Sequence, residues 1–154
     1  PGSRWRVERA GGRLLRAVRD DGLATPAREG PFLARPADER TLLAWNGKRY
    51  RGDLVVVATD SGLLVVNHLG VEDYLRGVVP LEMGRRPDAE RAALEAQAVA
   101  SRSYVYVRAL GDARRAWDVV GTVNDQVYGG ADAEQPVSDL AIRATSGEVL
   151  AVAG

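Results

Sequence analysis

The chain has 154 residues, which is enough for one hydrophobic core without disulfides or a structural metal. Hydrophobic residues make up 45% and charged residues 27% of it, and these fractions exclude wholesale disorder and a fibrous repeat. Because 21 basic and 21 acidic side chains cancel, the composition gives no overall basic surface for nucleic acid. The absence of cysteine excludes disulfides, a thiolate nucleophile and a zinc finger, and no apolar run reaches the roughly 18–20 residues that span a bilayer.

Positive charge is concentrated in the first third of the chain. Residues 1–51 carry eleven Arg and Lys48 against six acids, a net charge of +6, whereas residues 52–154 carry a net charge of −6. An Arg-rich surface of this kind suits contact with an anionic polymer. A solvated surface is the simpler explanation.

Alternating polar and apolar residues predict a series of short antiparallel strands over residues 4–67. The predicted strands are 4–8, 14–18, 41–45, 49–59 and 63–67. Asn46-Gly47 is the strongest hairpin signal in the chain, because both residues accept the positive φ angles of a tight turn. Three prolines make residues 23–38 an irregular connection with at most a short edge strand.

The second half of the sequence changes to a helical period. A short helix is predicted over 71–79, stopped by Pro80, and an Ala-rich stretch without Gly or Pro predicts a long helix over 88–110. The remaining predictions are an extended, turn-rich segment at 118–130, a short helix at 136–145 and a strand at 148–153. We therefore expect a single α+β domain over 1–154, with an antiparallel β-rich layer, the long helix packed on it and short helices.

The inventory of side chains argues against several kinds of site. With His68 as the one histidine, a metal site would need Asp118, Asp125 and Asp132, whose spacing matches no ligand loop. A catalytic triad would have to use His68, but no nucleophile elbow is present, so a structural histidine is expected. Glycine-rich phosphate loops are also absent. We expect neither a metal nor a cofactor.

Glu82 is the first candidate for chemistry. It follows the helix-stopping Pro80 and is flanked by Leu81 and Met83. A carboxyl group in a partly apolar pocket retains its proton and serves as a general acid near neutral pH. On these residues alone, a solvated loop glutamate is the preferred explanation.

A polar stripe on the predicted long helix is the second candidate. Gln97, Ser101 and Tyr104 recur at i, i+4 and i+7 on a helix that is otherwise rich in Ala and Val. Polar groups in such a position need protein partners or a ligand, and both explanations are open. Arg102 lies on a neighbouring stripe with Glu95, so a structural contact between Arg102 and Glu95 is expected.

These stretches together resemble the SpoIID/LytB family, the stage II sporulation protein D and amidase-enhancer domain. The family's E-x-Y-L-x-G-V-V-P-x-E-M segment matches residues 72–83, and its A-L-K-A-Q-A-V-A-A-R-T-Y helix matches residues 93–104. The similarity extends back through Tyr50-Arg51-Gly52 and 66–69, and forward through 126–130 to 144–150. The resemblance thus covers roughly residues 49–154, with the motifs in the family's order.

The resemblance implies a lytic transglycosylase that cleaves peptidoglycan glycan strands to 1,6-anhydro-N-acetylmuramyl ends. The glutamate of the P-x-E-M motif is the family's catalytic acid and corresponds to Glu82. Residues expected to orient the sugars are Gln97, Arg102, Tyr104, Gln126 and Tyr128. The implied location is extracytoplasmic, with any export signal outside this sequence, because residues 1–4 lack the apolar segment of a signal peptide.

Some residues depart from the family pattern. Glu95 stands where the family commonly has Lys, and Ser101 and Ser103 replace Ala and Thr. The chain ends at Gly154, where family domains usually continue, so we expect either a short member or a domain truncated at its C-terminal end. An incomplete cleft would bind glycan without cutting it. The alternative function is therefore a non-catalytic wall-binding module that enhances a cell-wall N-acetylmuramoyl-L-alanine amidase, and the third is a scaffold with no activity alone.

Overall fold

The computed structural model describes residues 2–111 and 115–151, and these fold into eight strands followed by three α-helices. The strands are β1 Trp5–Gly11, β2 Leu14–Arg19, β3 Arg28–Glu29, β4 Phe32–Ala34, β5 Leu43–Trp45, β6 Lys48–Tyr50, β7 Asp53–Thr59 and β8 Gly62–His68. The helices are α1 Val71–Met83, α2 Arg91–Ala109 and α3 Pro136–Ala144, with short 3-10 helices at Asp88–Glu90 and Gly130–Ala133. The predicted α+β class is confirmed. We call residues 5–68 the β region and residues 71–151 the helical region.

The strands pair antiparallel, as the sequence predicts. β1, β2 and β3 form one sheet, β4, β7 and β8 form a second, and β5 pairs with β6 in a separate hairpin. Asn46 (φ 50°) and Gly47 (φ 76°) turn this hairpin, and both positive angles are those that a tight hairpin turn requires. The Asn-Gly signal is therefore confirmed.

Two details of the β region differ from the prediction. The predicted strand 49–59 is divided into β6 and β7, because Gly52 has a φ of +67° and lies so close to His68 that a Cβ atom would come within 2.4 Å of its carbonyl oxygen. Residues 23–38 hold two short strands, β3 and β4, rather than at most one. Of these, β4 is an edge strand of the second sheet, where it pairs with β7.

Hydrophobic side chains form a small cluster in the β region and a larger one in the helical region. The small cluster has Leu15, Ala17 and Phe32 at its centre, with Val56 packed against it, and so lies between the two sheets. The buried members of the larger cluster are Tyr74, Leu75, Val78, Val79, Leu94, Ala98, Val105, Ala141 and Ile142. All of these residues come from the three helices.

The long helix packs on the other helices. We expected it to lie on the β layer, but α2 packs chiefly against α1 and α3. The physical reason is that the inner face of the second sheet is already covered by the first sheet, whereas the apolar side chains of α1 and α3 need a partner. The helix itself begins with the 3-10 turn at Asp88–Glu90 and continues as α2 to Ala109, within one residue of the predicted end.

The first helix is longer than predicted. α1 continues through Pro80 to Met83 and ends at Gly84, whose φ is +68°. Proline removes one backbone hydrogen bond from a helix, which is why the sequence predicts a stop there. Val78, Val79 and Pro80 are fully buried, and this packing offsets the lost bond. Consequently Glu82 lies in the last turn of a helix and not in a loop.

The C-terminal part combines one confirmed helix with an incorrect strand prediction. The helix predicted at 136–145 is confirmed as α3. Residues 148–151 form no strand: the Leu150 N–H donates to Ser103 Oγ (2.8 Å) and the Glu148 carbonyl accepts from Arg102 (3.0 Å), so this segment lies against α2. The remainder of the predicted strand lies outside the described residues. Among the helices of the described ranges, none has the length and apolar character needed to cross a membrane.

Ion pairs join the β region to the helical region. Arg51, just after β6, binds Glu134 at 2.6 Å, and Arg76 of α1 binds the same carboxylate at 2.6 Å. Arg76 also binds Asp139 of α3 at 2.9 Å. Because two arginines share one half-buried carboxylate, the orientation of the β region relative to α1 is fixed at this point.

Candidate functional site

Glu82 lies at the surface. Its side chain is exposed in the last turn of α1, where the neighbouring Leu81 is 44% exposed and Met83 packs against the helical core. The partly apolar pocket is therefore not formed, and the exposure agrees with the solvated glutamate preferred from the residues alone. The i+3 and i+4 spacing puts residue 82 on the same helix face as residues 79 and 78, but it lies in the last turn of α1 and is exposed there. The Val127 N–H donates to Glu82 Oε1 at 2.9 Å. This bond fixes one carboxylate oxygen and leaves the second directed to no other group in the described part of the chain.

The segment that reaches Glu82 runs along α1. We call residues 118–130 the strap. It was predicted as extended and turn-rich; in the structure it consists of bends, turns and irregular backbone up to Gly129, and Gly130 begins a 3-10 helix. Besides the bond from Val127 to Glu82, the Gly129 N–H donates to the Gly77 carbonyl at 3.0 Å. The strap is thus attached to α1 through a side chain at one point and through the backbone at another.

Tyr128 connects the strap to α1 and to the β region. Its ring stacks on Tyr74 with centroids 5.1 Å apart, and its hydroxyl donates to Asn67 Oδ1 at 2.8 Å. A Cβ atom at Gly77 would lie 2.4 Å from this ring, so only glycine fits beneath it. Burial raises the pKa of the Tyr128 hydroxyl above its ordinary value, which keeps it a donor.

Tyr74 and Gln126 form a buried hydrogen bond beside Glu82. The Tyr74 hydroxyl donates to Gln126 Oε1 at 3.3 Å, and both side chains are buried. Burial, and then the negative charges of Asp125 and Glu82, raise the pKa of Tyr74 above its ordinary value. Tyr74 therefore stays protonated and remains a hydrogen-bond donor to Gln126.

Tyr104 does not point freely into solution. Its hydroxyl donates to Asp125 Oδ1 in a short hydrogen bond, the Val120 N–H donates to Asp125 Oδ2 at 2.8 Å, and Arg108 lies 3.2 Å from the same carboxylate. The bonds from Tyr104 and Val120 hold the pKa of Asp125 below its ordinary value. Sequence reasoning considered Asp125 only as a metal ligand. Its position directly before Gln126 is the one signal that associates it with this site.

Arg102 is remote from the surface around Glu82. Its side chain is 0% exposed, binds both oxygens of Glu72 (2.7 and 2.9 Å) and donates to the Glu148 carbonyl at 3.0 Å. The structural contact with Glu95 expected from spacing is not formed, because Glu95 pairs with Arg91 one turn earlier at 3.2 Å. Arg102 ties the start of α1 to the end of the chain's described part.

The structure separates the predicted site residues into two groups. Gln126, Tyr128 and, through Asp125, Tyr104 lie on or against the strap whose Val127 N–H contacts Glu82. Gln97 is half-buried, and its amide donates to Ser101 Oγ at 3.1 Å, so the predicted stripe is satisfied in part by its own members. Arg102 forms the second group because its hydrogen bonds go to Glu72 and to the Glu148 carbonyl, away from the strap.

A cavity of about 340 Å³ lies elsewhere, in the β region. It is lined by Val55, Val57 and Val66 together with His68, by other residues of the β region and by Ala116, and none of the predicted site residues lines it. His68 is exposed at the end of β8. No group of three or more potential metal ligands occurs among residues 2–111 and 115–151.

The family match lies chiefly in the helical region. The family model described as SpoIID, stage II sporulation protein, matches residues 59–151, which contain α1, α2, α3 and the strap. An uncharacterized protein of Brachyspira hyodysenteriae is 42% identical over 88 residues, which cover 56% of this chain and 23% of that protein. An uncharacterized protein of Chlamydia muridarum is 35% identical over 97 residues, which cover 62% of this chain and 32% of that protein. The matched part thus spans less than a third of these curated relatives, and no solved structure matches the chain.

Proposed function

Because this chain belongs to the SpoIID family of stage II sporulation proteins, which are linked to the cell wall, we propose that it is a peptidoglycan lytic transglycosylase. Glu82 is the proposed acid and base. The observation that carries the proposal is the contact between the Val127 N–H and Glu82 Oε1, which orients an exposed carboxylate at the end of α1. Exposure gives a long glycan strand access to this carboxylate.

One carboxyl group is sufficient for this reaction. Protonated Glu82 donates its proton to the glycosidic oxygen as the bond from C1 of N-acetylmuramic acid breaks. The C6 hydroxyl of the same sugar forms the new bond to C1, and the ionised carboxylate accepts the hydroxyl proton. Glu82 ends protonated, the product carries a 1,6-anhydro ring, and no water is consumed. An internal hydroxyl has the high effective concentration of an intramolecular nucleophile, so the second carboxylate of ordinary glycosidases is not needed.

The remaining candidate residues take different roles in this proposal. Gln126 and Tyr128 flank Val127, the strap residue that contacts Glu82. Gln97 lies on α2, where its side chain is half-buried and donates to Ser101. We assign sugar contacts to Gln97 and Tyr128, which are half-buried, whereas the buried Gln126 supports the site through its hydrogen bond with Tyr74. Arg102 supports the site from within, by holding the first turn of α1 through Glu72. Because peptidoglycan lies outside the cytoplasmic membrane, the proposed location is extracytoplasmic.

A second function has its own observation in its favour. Glu82 is exposed rather than enclosed in an apolar pocket, and a binding surface needs no such enclosure. As a wall-binding module, the chain would bind glycan strands and enhance an N-acetylmuramoyl-L-alanine amidase without cutting them. The Arg-rich β region would then contribute contacts with anionic wall polymer.

One experiment separates these functions. Purified protein is incubated with isolated sacculi, alone and with a cell-wall amidase, and the released fragments are analysed by mass spectrometry. A transglycosylase releases 1,6-anhydro-muropeptides without the amidase. Amidase products that increase while anhydro ends stay absent would favour the binding module and contradict the proposed activity.

A further inference from the structure

Asp125 attaches the strap to α2 through polar contacts with Tyr104 and Arg108. The Asp125 side chain is 5% exposed, although it lies on an irregular segment. Its carboxylate accepts hydrogen bonds from the Tyr104 hydroxyl and the Val120 N–H and pairs with the Arg108 guanidinium. Hydrogen bonds to an ionised group are roughly twice as strong as those between neutral groups. Asp125 is therefore a strong anchor between the strap and the helix that packs behind α1.

The anchor lies two residues before the contact with Glu82. Gln126, between them, is buried and accepts from Tyr74, so the backbone from Asp125 to Val127 has little freedom to move. The Val127 N–H reaches Glu82 only while this short stretch stays against α1. The Gly129 N–H, farther along, binds the Gly77 carbonyl and does not depend on any carboxylate.

We propose that Asp125, held by Tyr104 and Arg108, is the positioning residue that keeps the Val127 N–H on the Glu82 carboxylate. The inference rests on the proposed function only for the consequence of this contact in catalysis. Tyr104 then acts through Asp125 and does not contact the sugar. When Asp125 loses its bonds to α2, the strap is loosened near Val127, and the bond from Val127 to Glu82 weakens. The bond from the Gly129 N–H to the Gly77 carbonyl remains.

Amide hydrogen exchange measured by NMR tests this arrangement without requiring any activity. Glu82→Ala removes the acceptor and sets the exchange rate of an unbound Val127 amide. Tyr104→Phe deletes only the hydroxyl that binds Asp125, and Asp125→Asn keeps the shape but removes the charge. Tyr106→Phe is the matched control, because Tyr106 lies on the same helix and is exposed.

We expect Val127 exchange to rise about tenfold in Tyr104→Phe and Asp125→Asn, the effect of losing one charge-assisted hydrogen bond. The Gly129 amide should change much less, and Tyr106→Phe should match the parent. Parent-like Val127 exchange in both variants, while Glu82→Ala accelerates it, would overturn the proposal. Failure of Glu82→Ala to accelerate it would also overturn the proposal, because the positioned contact would not exist.

Activity supplies a separate readout on sacculi. Tyr104→Phe should lower kcat for release of anhydro-muropeptides and leave KM nearly unchanged, because the variant affects orientation of the acid rather than binding of glycan. A rise in KM with unchanged kcat would assign Tyr104 to the sugar and contradict its positioning role. If the parent releases no anhydro-muropeptides but Val127 exchange rises as expected, the positioning by Asp125 stands and the proposed function fails.

Discussion

The β region and the helical region use charged side chains in different ways. In the β region, Arg19 pairs with Asp21 two residues away, and Arg13 pairs with Asp60 on a surface where the two side chains are 66% and 90% exposed. In the helical region, Arg102 is fully buried and joins residues 30 to 46 positions away. Exposed pairs contribute little to stability even when, as for Arg13 and Asp60, the partners are far apart in sequence, whereas a buried arginine that joins distant segments determines how they pack.

Gly47 and Gly77 differ in the reason for which glycine is needed. Gly47 has a φ of +76° with nothing near its missing side chain, so the β region uses it for turn conformation. In the helical region Gly77 has no unusual φ, but a Cβ atom there would meet the ring of Tyr128 at 2.4 Å. One glycine is required for its backbone and the other for its lack of volume. The helical region thus achieves close packing directly beneath the candidate site.

The largest effect should come from Arg102. Arg102→Ala leaves the carbonyls of Glu148 and Ile142 and the Glu72 carboxylate without their donor, so the free energy of unfolding should fall by about 3 kcal/mol or more. Denaturant unfolding followed by circular dichroism measures the change. Arg13→Ala, in the exposed pair with Asp60, is the control and should unfold like the parent. Equal loss in the two variants would remove the contrast between the regions.

A smaller effect is expected from the glycines. Gly77→Ala forces the Tyr128 ring away from Tyr74 and should destabilise the protein by about 1–3 kcal/mol, the usual range for overpacking. Gly47→Asn keeps a residue that tolerates positive φ and should change stability by less than about 1 kcal/mol. Thermal unfolding of both variants provides the comparison. A Gly77→Ala variant as stable as the parent would show that the ring does not rest on α1.

Acid should produce the smallest effect, through Asp125. The hydrogen bonds from Tyr104 and Val120 hold its pKa below the ordinary value of 3.8, so the ionised group stabilises the folded state at higher pH. That stabilisation is lost as the pH falls through the lowered pKa. The difference in unfolding free energy between the parent and Asp125→Asn should therefore shrink below about pH 4. A difference that is constant from pH 7 to pH 2 would mean that the charge of Asp125 does not matter.

The sequence predicts local structure well in this chain and long-range contacts poorly. Asn46-Gly47 and the Ala-rich stretch of α2 carry signals within a few residues, and both predictions are confirmed. Pro80 carries an equally local signal, which is misleading because burial against other helices outweighs one lost hydrogen bond. The error placed Glu82 in a loop, where the structure has the last turn of a helix, although the solvent exposure preferred for Glu82 is found.

The residues that contact one another at the candidate site are far apart in sequence, so periodic spacing along the chain does not reveal them. Asp125 meets Tyr104 across 21 residues, and Val127 meets Glu82 across 45. Spacing suggested Glu95 for Arg102, but the buried arginine binds Glu72, 30 residues away. The resemblance to a family identified Glu82, and only the fold shows which residues hold it.

Cleavage of sacculi by Glu82→Gln tests the central claim most directly. The amide keeps the size of the side chain and can still accept from the Val127 N–H, but it cannot transfer a proton. Release of anhydro-muropeptides should fall by about 10²-fold or more, the usual scale of general acid–base catalysis, while thermal stability and glycan binding stay at the parent level. Glu90→Gln, at an exposed glutamate paired with Arg86, is the matched control and should cleave like the parent. Anhydro-muropeptides released by a folded Glu82→Gln variant at the parent rate would contradict the account.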